Sequence, residues 1–220
     1  MKIKAAIFDM DGTLVDSLML WDVLWSEFGR RFDGNADFRP AEQDDKAVRT
    51  MLLKDAMELI HQQYGFAASG EELLDIANEI MLDFYENRVE LKPGVRAFLE
   101  HCRQNGTRMC IASATEKRLV QVAMQHCGLE KYFEKLFSCG DVGKGKDEPD
   151  VFLMAQQFMG AAVEETWVFE DSLVAIETAA DAGLHTVAIY DRYNFGQEQM
   201  QKRADFYIAK GENLTKLMDF

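Results

Sequence analysis

Two aspartates lie directly after a short apolar run near the start of the chain. Lys2–Phe8 has the length and composition of a buried strand, and Asp9, Met10 and Asp11 follow it at once. One carboxylate so placed can act as a nucleophile, and the other can hold the proton that a leaving oxygen needs. Because like charges this close raise each other's pKa, the pair favours a hard divalent cation with oxygen ligands.

A second apolar run also ends in two acids. Thr166–Phe169 is typical of a strand, and Glu170 and Asp171 follow it. A simpler interpretation is that Asp171, or Ser172 after it, only caps the next helix. Two strands that both end in paired carboxylates nevertheless favour a bound cation, because open α/β sheets bind ligands beyond the carboxyl ends of their strands. The candidate metal ligands are therefore Asp9, Asp11, Glu170 and Asp171.

Two further positions could contact an anionic group. Ser113 follows the predicted strand Thr107–Ala112 and precedes a helix predicted over Glu116–Cys127, whose N-terminal N–H groups could bind an anion. Ser113 and Glu116 equally fit a capping box, and the two roles do not exclude each other. Lys146 lies in a loop rich in glycine and lysine that does not match the P-loop pattern.

The residues around these positions resemble four motifs of the haloacid dehalogenase superfamily, in its phosphatase and β-phosphoglucomutase-like branch. The first motif resembles the stretch Asp9-Met10-Asp11-Gly12-Thr13-Leu14-Val15-Asp16-Ser17. Ser113 fits the second motif, and Glu170-Asp171 fits the fourth. Lys146, with Pro149 and Asp150 after it, is similar to the third motif, although Asp147 stands where that motif has its first proline.

The resemblance implies Mg²⁺-dependent phosphoryl transfer. Asp9 would attack phosphorus and become an aspartyl-phosphate, while Asp11 would protonate the leaving oxygen and then activate a water molecule. Asp171 would bind Mg²⁺ directly, with Glu170 beside it or one step further from the ion. The groups expected to hold the phosphoryl oxygens are Lys146, Ser113 and the backbone N–H groups near Met10 and Ala114.

Alternating strand and helix patterns predict an α/β fold with two domains. The resemblance implies a three-layer Rossmann-like core with a mostly parallel sheet, and we expect this catalytic core to comprise residues 1–16 and 92–220. Between them, residues 17–91 carry apolar side chains at helical spacing, which predicts an all-helical insert. In the resembled family this is the position of a helical cap domain.

The composition disfavours several classes of function. The 220-residue chain has 38 acidic and 24 basic residues, and this net charge of −14 argues against general binding to nucleic acid or to anionic membranes. We expect no signal peptide and no membrane span. Four cysteines without a C-x-x-C pair favour reduced thiols in a cytoplasmic protein. The expected partner is a small phosphate ester, and the expected oligomeric state is a monomer.

Several functions remain open within the resemblance. Asp11 disfavours dehalogenases and P-type ATPases but suits both a phosphatase and a phosphomutase. A mutase must hold a second phosphate, for which the insert offers four cations: Arg39, Lys46, Arg49 and Lys54. We favour a phosphatase because the insert lacks the Gly-x-x-Arg loop typical of β-phosphoglucomutases. A binding protein of the same fold without turnover is the third hypothesis.

Overall fold

The strands of the protein form one parallel sheet. In the computed structural model, which describes residues 3–49, 51 and 53–219, the strands are β1 (Ala5–Phe8), β2 (Arg108–Ser113), β3 (Lys135–Ser138), β4 (Thr166–Glu170), β5 (His185–Ile189) and β6 (Phe206–Ile208). Their order is β3-β2-β1-β4-β5-β6, and every neighbouring pair is parallel. The chain order reverses direction between β1 and β4, which is where open α/β sheets bind ligands.

Helices connect the strands, as the alternating pattern predicts. The α-helices are α1 (Leu20–Phe28), α2 (Glu42–Val48), α3 (Leu53–Tyr64), α4 (Gly70–Asn87), α5 (Val95–Gln104), α6 (Lys117–His126), α7 (Cys139–Val142), α8 (Asp150–Met159), α9 (Leu173–Asp181) and α10 (Gln197–Arg203). A π-helix spans Gly29–Asp33, and 3₁₀ turns span Glu130–Tyr132, Val163–Glu165 and Leu214–Asp219.

The central strand β1 is buried on both faces. Ile7 packs into an apolar cluster that includes Phe152 of α8. Phe8 points to the opposite face, where its ring stacks on Phe169 with centroids 4.3 Å apart and meets Phe98 of α5 edge-on at 6.3 Å. Helices on both sides of the sheet therefore complete three layers, and the predicted fold class is confirmed.

The element boundaries differ slightly from the predictions. Lys2, where the first strand is predicted to begin, lies outside the described residues. The helix predicted over Glu116–Cys127 begins and ends one residue inside those bounds. The sequence also predicts a strand over Leu136–Cys139, but Cys139 instead begins α7, because the hydroxyl of Ser138 accepts the N–H of Gly140 at 3.1 Å and starts a helical turn.

The chain divides into two compact units. One comprises Met1–Leu18 with Val89–Phe220 and contains the sheet. The other is Met19–Arg88, whose described residues form α1–α4 around a buried core of their own that includes Trp25. This helical unit falls within the predicted insert, residues 17–91, whose role as a cap stays a prediction. No helix within the described residues has the length and apolar character that crossing a membrane requires.

Replacing the ring that anchors β1 tests the packing that holds Asp9 in place. We expect Phe8→Ala to lower the free energy of unfolding by about 3–5 kcal/mol, because Phe8 is fully buried against other rings. Chemical denaturation monitored by circular dichroism measures this change. The control Phe195→Ala removes a ring that is 60% exposed, and its effect should stay below about 1 kcal/mol. Equal effects of the two variants would contradict the assignment of Phe8 to the core.

Candidate active site

The pairing of β1 with β4 brings the two acidic segments together. Phe8 lies opposite Phe169 in the parallel register, and the N–H of Asp9 donates to the carbonyl of Phe169 at 2.9 Å. Asp9 therefore continues β1 beside Glu170, the last residue of β4. Two apolar strands that pair in this register place both sets of acids at one edge of the sheet.

Asp9, Glu170 and Asp171 form a buried carboxylate triad. One oxygen of each lies within 4.8 Å of the others, and the residues are 7%, 1% and 3% exposed. Burial raises the pKa of Asp9 to about 8 despite the nearby charge of Lys146, and the charges of Glu170 and Asp11 add to the increase. Burial also raises the pKa of Asp171 well above its ordinary value, with further contributions from Glu170 and Asp9.

Lys146 joins the two strand ends. Its ammonium pairs with the carboxylates of Asp9 and Glu170. Burial alone would lower the pKa of Lys146, but these two acids raise it above its ordinary value, so the lysine stays charged. The other oxygen of Glu170 accepts the backbone N–H groups of Asp171 at 2.9 Å and Ser172 at 3.0 Å. Glu170 thus fixes both the lysine and the loop that carries Asp171.

The side chain of Asp11 points to a different set of partners. One of its oxygens accepts the hydroxyl of Ser17 at 2.6 Å, and the other accepts the hydroxyl of Thr115 at 2.7 Å. The triad of carboxylates does not include Asp11. These two hydroxyls hold the Asp11 carboxylate in one orientation near the end of β2, an arrangement suited to a group that delivers a proton.

Ser113 is buried at the end of β2, but the predicted capping box does not form. Its hydroxyl accepts the N–H of Thr115 at 3.1 Å, and α6 begins only at Lys117, after an N-cap at Glu116 that makes no side-chain capping bond. The prediction was wrong because the chain makes an extra turn before the helix. Ala114, in that turn, is exposed, whereas Met10, between the two aspartates, is buried.

A close approach of the backbone fixes the position of Asp171. Gly12 has a φ of +74°, and a Cβ at this position would overlap a carboxylate oxygen of Asp171. The hydroxyl of Thr13 donates to the other carboxylate oxygen at 2.9 Å. Contact with Asp171 of the fourth motif therefore explains why the first motif has glycine at position 12 and threonine at position 13.

Three further residues contact these groups and were missed in the sequence. Asn194 donates its side-chain N–H to the backbone carbonyl of Asp171 at 2.9 Å and also to its carboxylate. The buried Asp191 accepts from the ammonium of Lys92 at 2.8 Å, and Lys92 also donates to the carbonyl of Gly12. Asp191 comes shortly after β5, so the pattern that predicts Asp9 and Asp171, an acid that follows a buried strand, could also have predicted Asp191. Lys92 and Asn194 lie in loops and carry no periodic signal.

The donor set fits a hard divalent cation. Carboxylate oxygens are the ligands that Mg²⁺ prefers in proteins, and the triad offers one from each of three residues. Among the described residues, the ion pair that contacts the triad directly is the one with Lys146. Three buried carboxylates beside one ammonium leave negative charge that a divalent cation would balance. Asp9 and Asp171 could hold such an ion, with Glu170 adjacent.

Comparison with known proteins identifies the family. The model of the haloacid dehalogenase-like hydrolases matches residues 3–183 of the chain, a range that includes every residue of the site except Asp191 and Asn194. The chain belongs to this family. It is therefore a hydrolase, and the predicted family and enzyme class are confirmed.

Relatives of the hydrolase share almost its whole length. A Thermotoga maritima protein named phosphorylated carbohydrates phosphatase is 24% identical over 217 residues, which cover 98% of this chain and 99% of the relative. Hexitol phosphatase A of Escherichia coli is 27% identical over 199 residues, covering 86% of this chain and 84% of that protein. The crystal structure of a Thermotoga maritima protein provisionally named β-phosphoglucomutase matches with a TM-score of 0.81 at 22% identity, covering 98% and 99% of the two chains.

The raised pKa of Asp9 makes the stability of the metal-free hydrolase depend on pH. A carboxyl group whose pKa is about 8 when folded and about 4 when unfolded favours the folded state at low pH, and this contribution is lost as the pH rises between those values. Asp9→Asn removes this titration. In EDTA, we expect the free energy of unfolding of the variant, relative to wild type, to increase by more than about 1 kcal/mol from pH 5 to pH 8.5. Denaturant titrations at both pH values measure the difference, and a constant difference would contradict the burial of an ionisable Asp9.

Proposed function

We propose that the hydrolase is a Mg²⁺-dependent phosphatase that cleaves a small phosphomonoester, a sugar phosphate or similar metabolite, through an aspartyl-phosphate intermediate. The observation that carries this proposal is the pairing of Asp9 with Lys146 at the switch point of the sheet, next to a second aspartate held apart by hydroxyl groups. These groups supply a nucleophile, a cation to offset charge and a separate proton carrier near the end of β1.

Two aspartates divide the chemistry. Asp9 attacks phosphorus, and the bond from phosphorus to the substrate oxygen breaks as the new bond to the carboxylate forms. Asp11 donates a proton to the departing oxygen and then accepts one from the water that cleaves the acyl phosphate. The hydroxyls of Ser17 and Thr115 orient Asp11 for both steps, since each binds a different carboxylate oxygen.

The remaining groups hold the phosphoryl oxygens. Lys146 stays charged beside Asp9, so it can offset the charge of the anionic substrate. Ser113 presents its hydroxyl at the end of β2, and the backbone N–H groups near Met10 and Ala114 add donors from the two neighbouring loops. Positioning and charge compensation by such fixed donors are the main contributions that a protein makes to phosphoryl transfer.

Asp9 and Asp171, with Glu170 adjacent, are the residues that would hold Mg²⁺. When bound, the ion would neutralise the carboxylates and help to orient the phosphate. Asp11 is also a candidate ligand from its place in the motif, but the bonds to Ser17 and Thr115 favour its role as proton carrier.

The substrate class is supported by the relatives. Two of them are named phosphorylated carbohydrates phosphatase and hexitol phosphatase A, and the first matches nearly the full length of the chain. The net charge of −14 argues against a nucleic acid substrate, because such binding depends on surface cations. We therefore propose a small phosphorylated sugar or polyol. A cytoplasmic monomer is part of the proposal, and the four buried free cysteines are consistent with a reducing compartment.

A phosphomutase is the second candidate, and it is supported by the provisional name of one structural relative. It would need free cations for a second phosphate. Within the helical unit, Arg49 makes two hydrogen bonds to Asp45, Lys46 pairs with Glu42 at 2.6 Å, and Arg39 approaches Asp22 at 3.7 Å. Acids of the same unit thus already balance three of the four candidate cations, which favours the phosphatase. A binding protein without turnover is disfavoured because the acids and the lysine of the site are all present.

Phosphate release from a panel of phosphomonoesters tests the proposed function. We expect release from sugar phosphates that requires Mg²⁺ and that falls by more than about 10³-fold in Asp9→Asn, because the nucleophile is lost. Inorganic phosphate measured with and without EDTA gives the result, and circular dichroism confirms that the variant is folded. Asp11→Asn is the matched acid-to-amide variant that keeps the nucleophile; with an aryl phosphate, whose leaving group departs without protonation, only this variant should accumulate a phosphorylated protein detectable by mass spectrometry.

Three outcomes would overturn parts of this proposal. Hydrolysis by Asp9→Asn at the wild-type rate would exclude Asp9 as the nucleophile. Isomerisation of a hexose 1-phosphate primed by a bisphosphate, without net release of phosphate, would establish the phosphomutase. If the folded protein binds Mg²⁺ but shows no activity in either assay, the result would favour a binding protein without turnover.

A further inference from the structure

The loop that follows β5 reaches the carboxylate of the fourth motif. Asn194 donates through its side-chain nitrogen to the backbone carbonyl of Asp171 at 2.9 Å and to its carboxylate oxygen Oδ2. The Oδ1 oxygen of Asp171 accepts the hydroxyl of Thr13 at 2.9 Å. Each carboxylate oxygen therefore has one fixed donor, and the two donors come from different loops.

The loop itself is held firmly. The side chain of Gln197 donates to the carbonyls of Asp191 at 2.9 Å and of Asn194 at 3.0 Å. The carboxylate of Asp191 accepts both the ammonium of Lys92 at 2.8 Å and the backbone N–H of Tyr193 at 2.9 Å. Asn194 is thus a fixed donor, unlike an asparagine on a free surface loop, because the chain on both sides of it is bonded.

The same network links Asp171 to the loop of the first motif. Lys92 donates to the carbonyl of Gly12, whose Cα lies so close to Asp171 that a Cβ would overlap its Oδ2 oxygen. A carboxylate enclosed by Gly12, Thr13 and Asn194 has few alternative orientations. Each oxygen retains a lone pair for a further ligand, since one hydrogen bond uses only one of two acceptor sites.

We infer that Asn194 is a positioning residue that holds the carboxylate of Asp171 in the orientation that binds a divalent cation. The inference rests on the proposed function, in which Asp171 is a metal ligand. Groups that hydrogen-bond a ligating carboxylate restrict its rotation, so that less orientational freedom is lost when the metal binds. Removal of such partners typically weakens metal binding by about 10–100-fold.

Mg²⁺ binding by variants at position 194 tests the inference. Isothermal titration calorimetry should show a dissociation constant at least about tenfold larger for Asn194→Ala and for Asn194→Leu, which keeps a side chain of similar size without the donor. The control Gln199→Ala removes an exposed amide from α10 in the same region and should bind Mg²⁺ as wild type does. Thermal melting of the metal-free proteins shows whether any variant is misfolded.

Kinetics separate positioning from a general structural effect. In the two Asn194 variants, the Mg²⁺ concentration for half-maximal activity should rise about tenfold, while kcat at saturating Mg²⁺ should fall much less. A structural defect would instead lower kcat and the melting temperature without changing the Mg²⁺ requirement, and it would overturn the inference. A folded Asn194→Ala variant that binds Mg²⁺ with wild-type affinity would also overturn the inference. If wild type itself fails to bind Mg²⁺, the proposed function fails as well, and this result distinguishes the two.

Discussion

The burial of three carboxylates beside one lysine is the constraint on which the rest of the structure depends. Asp9, Glu170 and Asp171 are almost fully shielded from water, and the ammonium of Lys146 pairs with Asp9 and Glu170. An isolated buried carboxylate is costly, and repulsion among three of them adds to the cost. The protein offsets part of this cost with Lys146 and with the backbone N–H groups after Glu170. The part of this cost that is not offset explains why the pKa values of Asp9 and Asp171 are raised. It also explains why a divalent cation would stabilise the site.

The fold provides the rigidity that such a site requires. β1 and β4 lie side by side at the centre of the sheet, and the stacked rings of Phe8 and Phe169 fix the two strand ends just before their acids begin. Two loops beyond the sheet then approach Asp171 closely, one through Gly12 and the other through Asn194. Stability of the hydrophobic core and geometry of the acids are therefore coupled, because the same strands supply both.

The sequence predicts which edge of the sheet carries the acids, but it does not predict the contacts of the loops. Asp9 and the Glu170-Asp171 pair follow apolar runs, and parallel pairing of those runs necessarily places them at one edge of the sheet. The capping box predicted at Ser113 does not form. The Ser113 hydroxyl instead accepts the nearby N–H of Thr115, and α6 begins only at Lys117. Asn194 and Lys92 could not be predicted, since their contacts depend on the three-dimensional path of loops that lie 23 to 99 residues apart in the chain.

Burial raises the pKa values of Asp9 and Asp171, so we expect a cation that binds these two acids to displace protons. Calorimetric titration of Mg²⁺ into the metal-free hydrolase, in buffers of different ionisation enthalpy, counts the protons released on binding. With the pKa of Asp9 at about 8, we predict a net release of protons at pH 7 and a smaller release at pH 9. Tight binding of Mg²⁺ with no proton release at pH 7 would contradict this expectation, because Asp9 would then already be ionised without the ion.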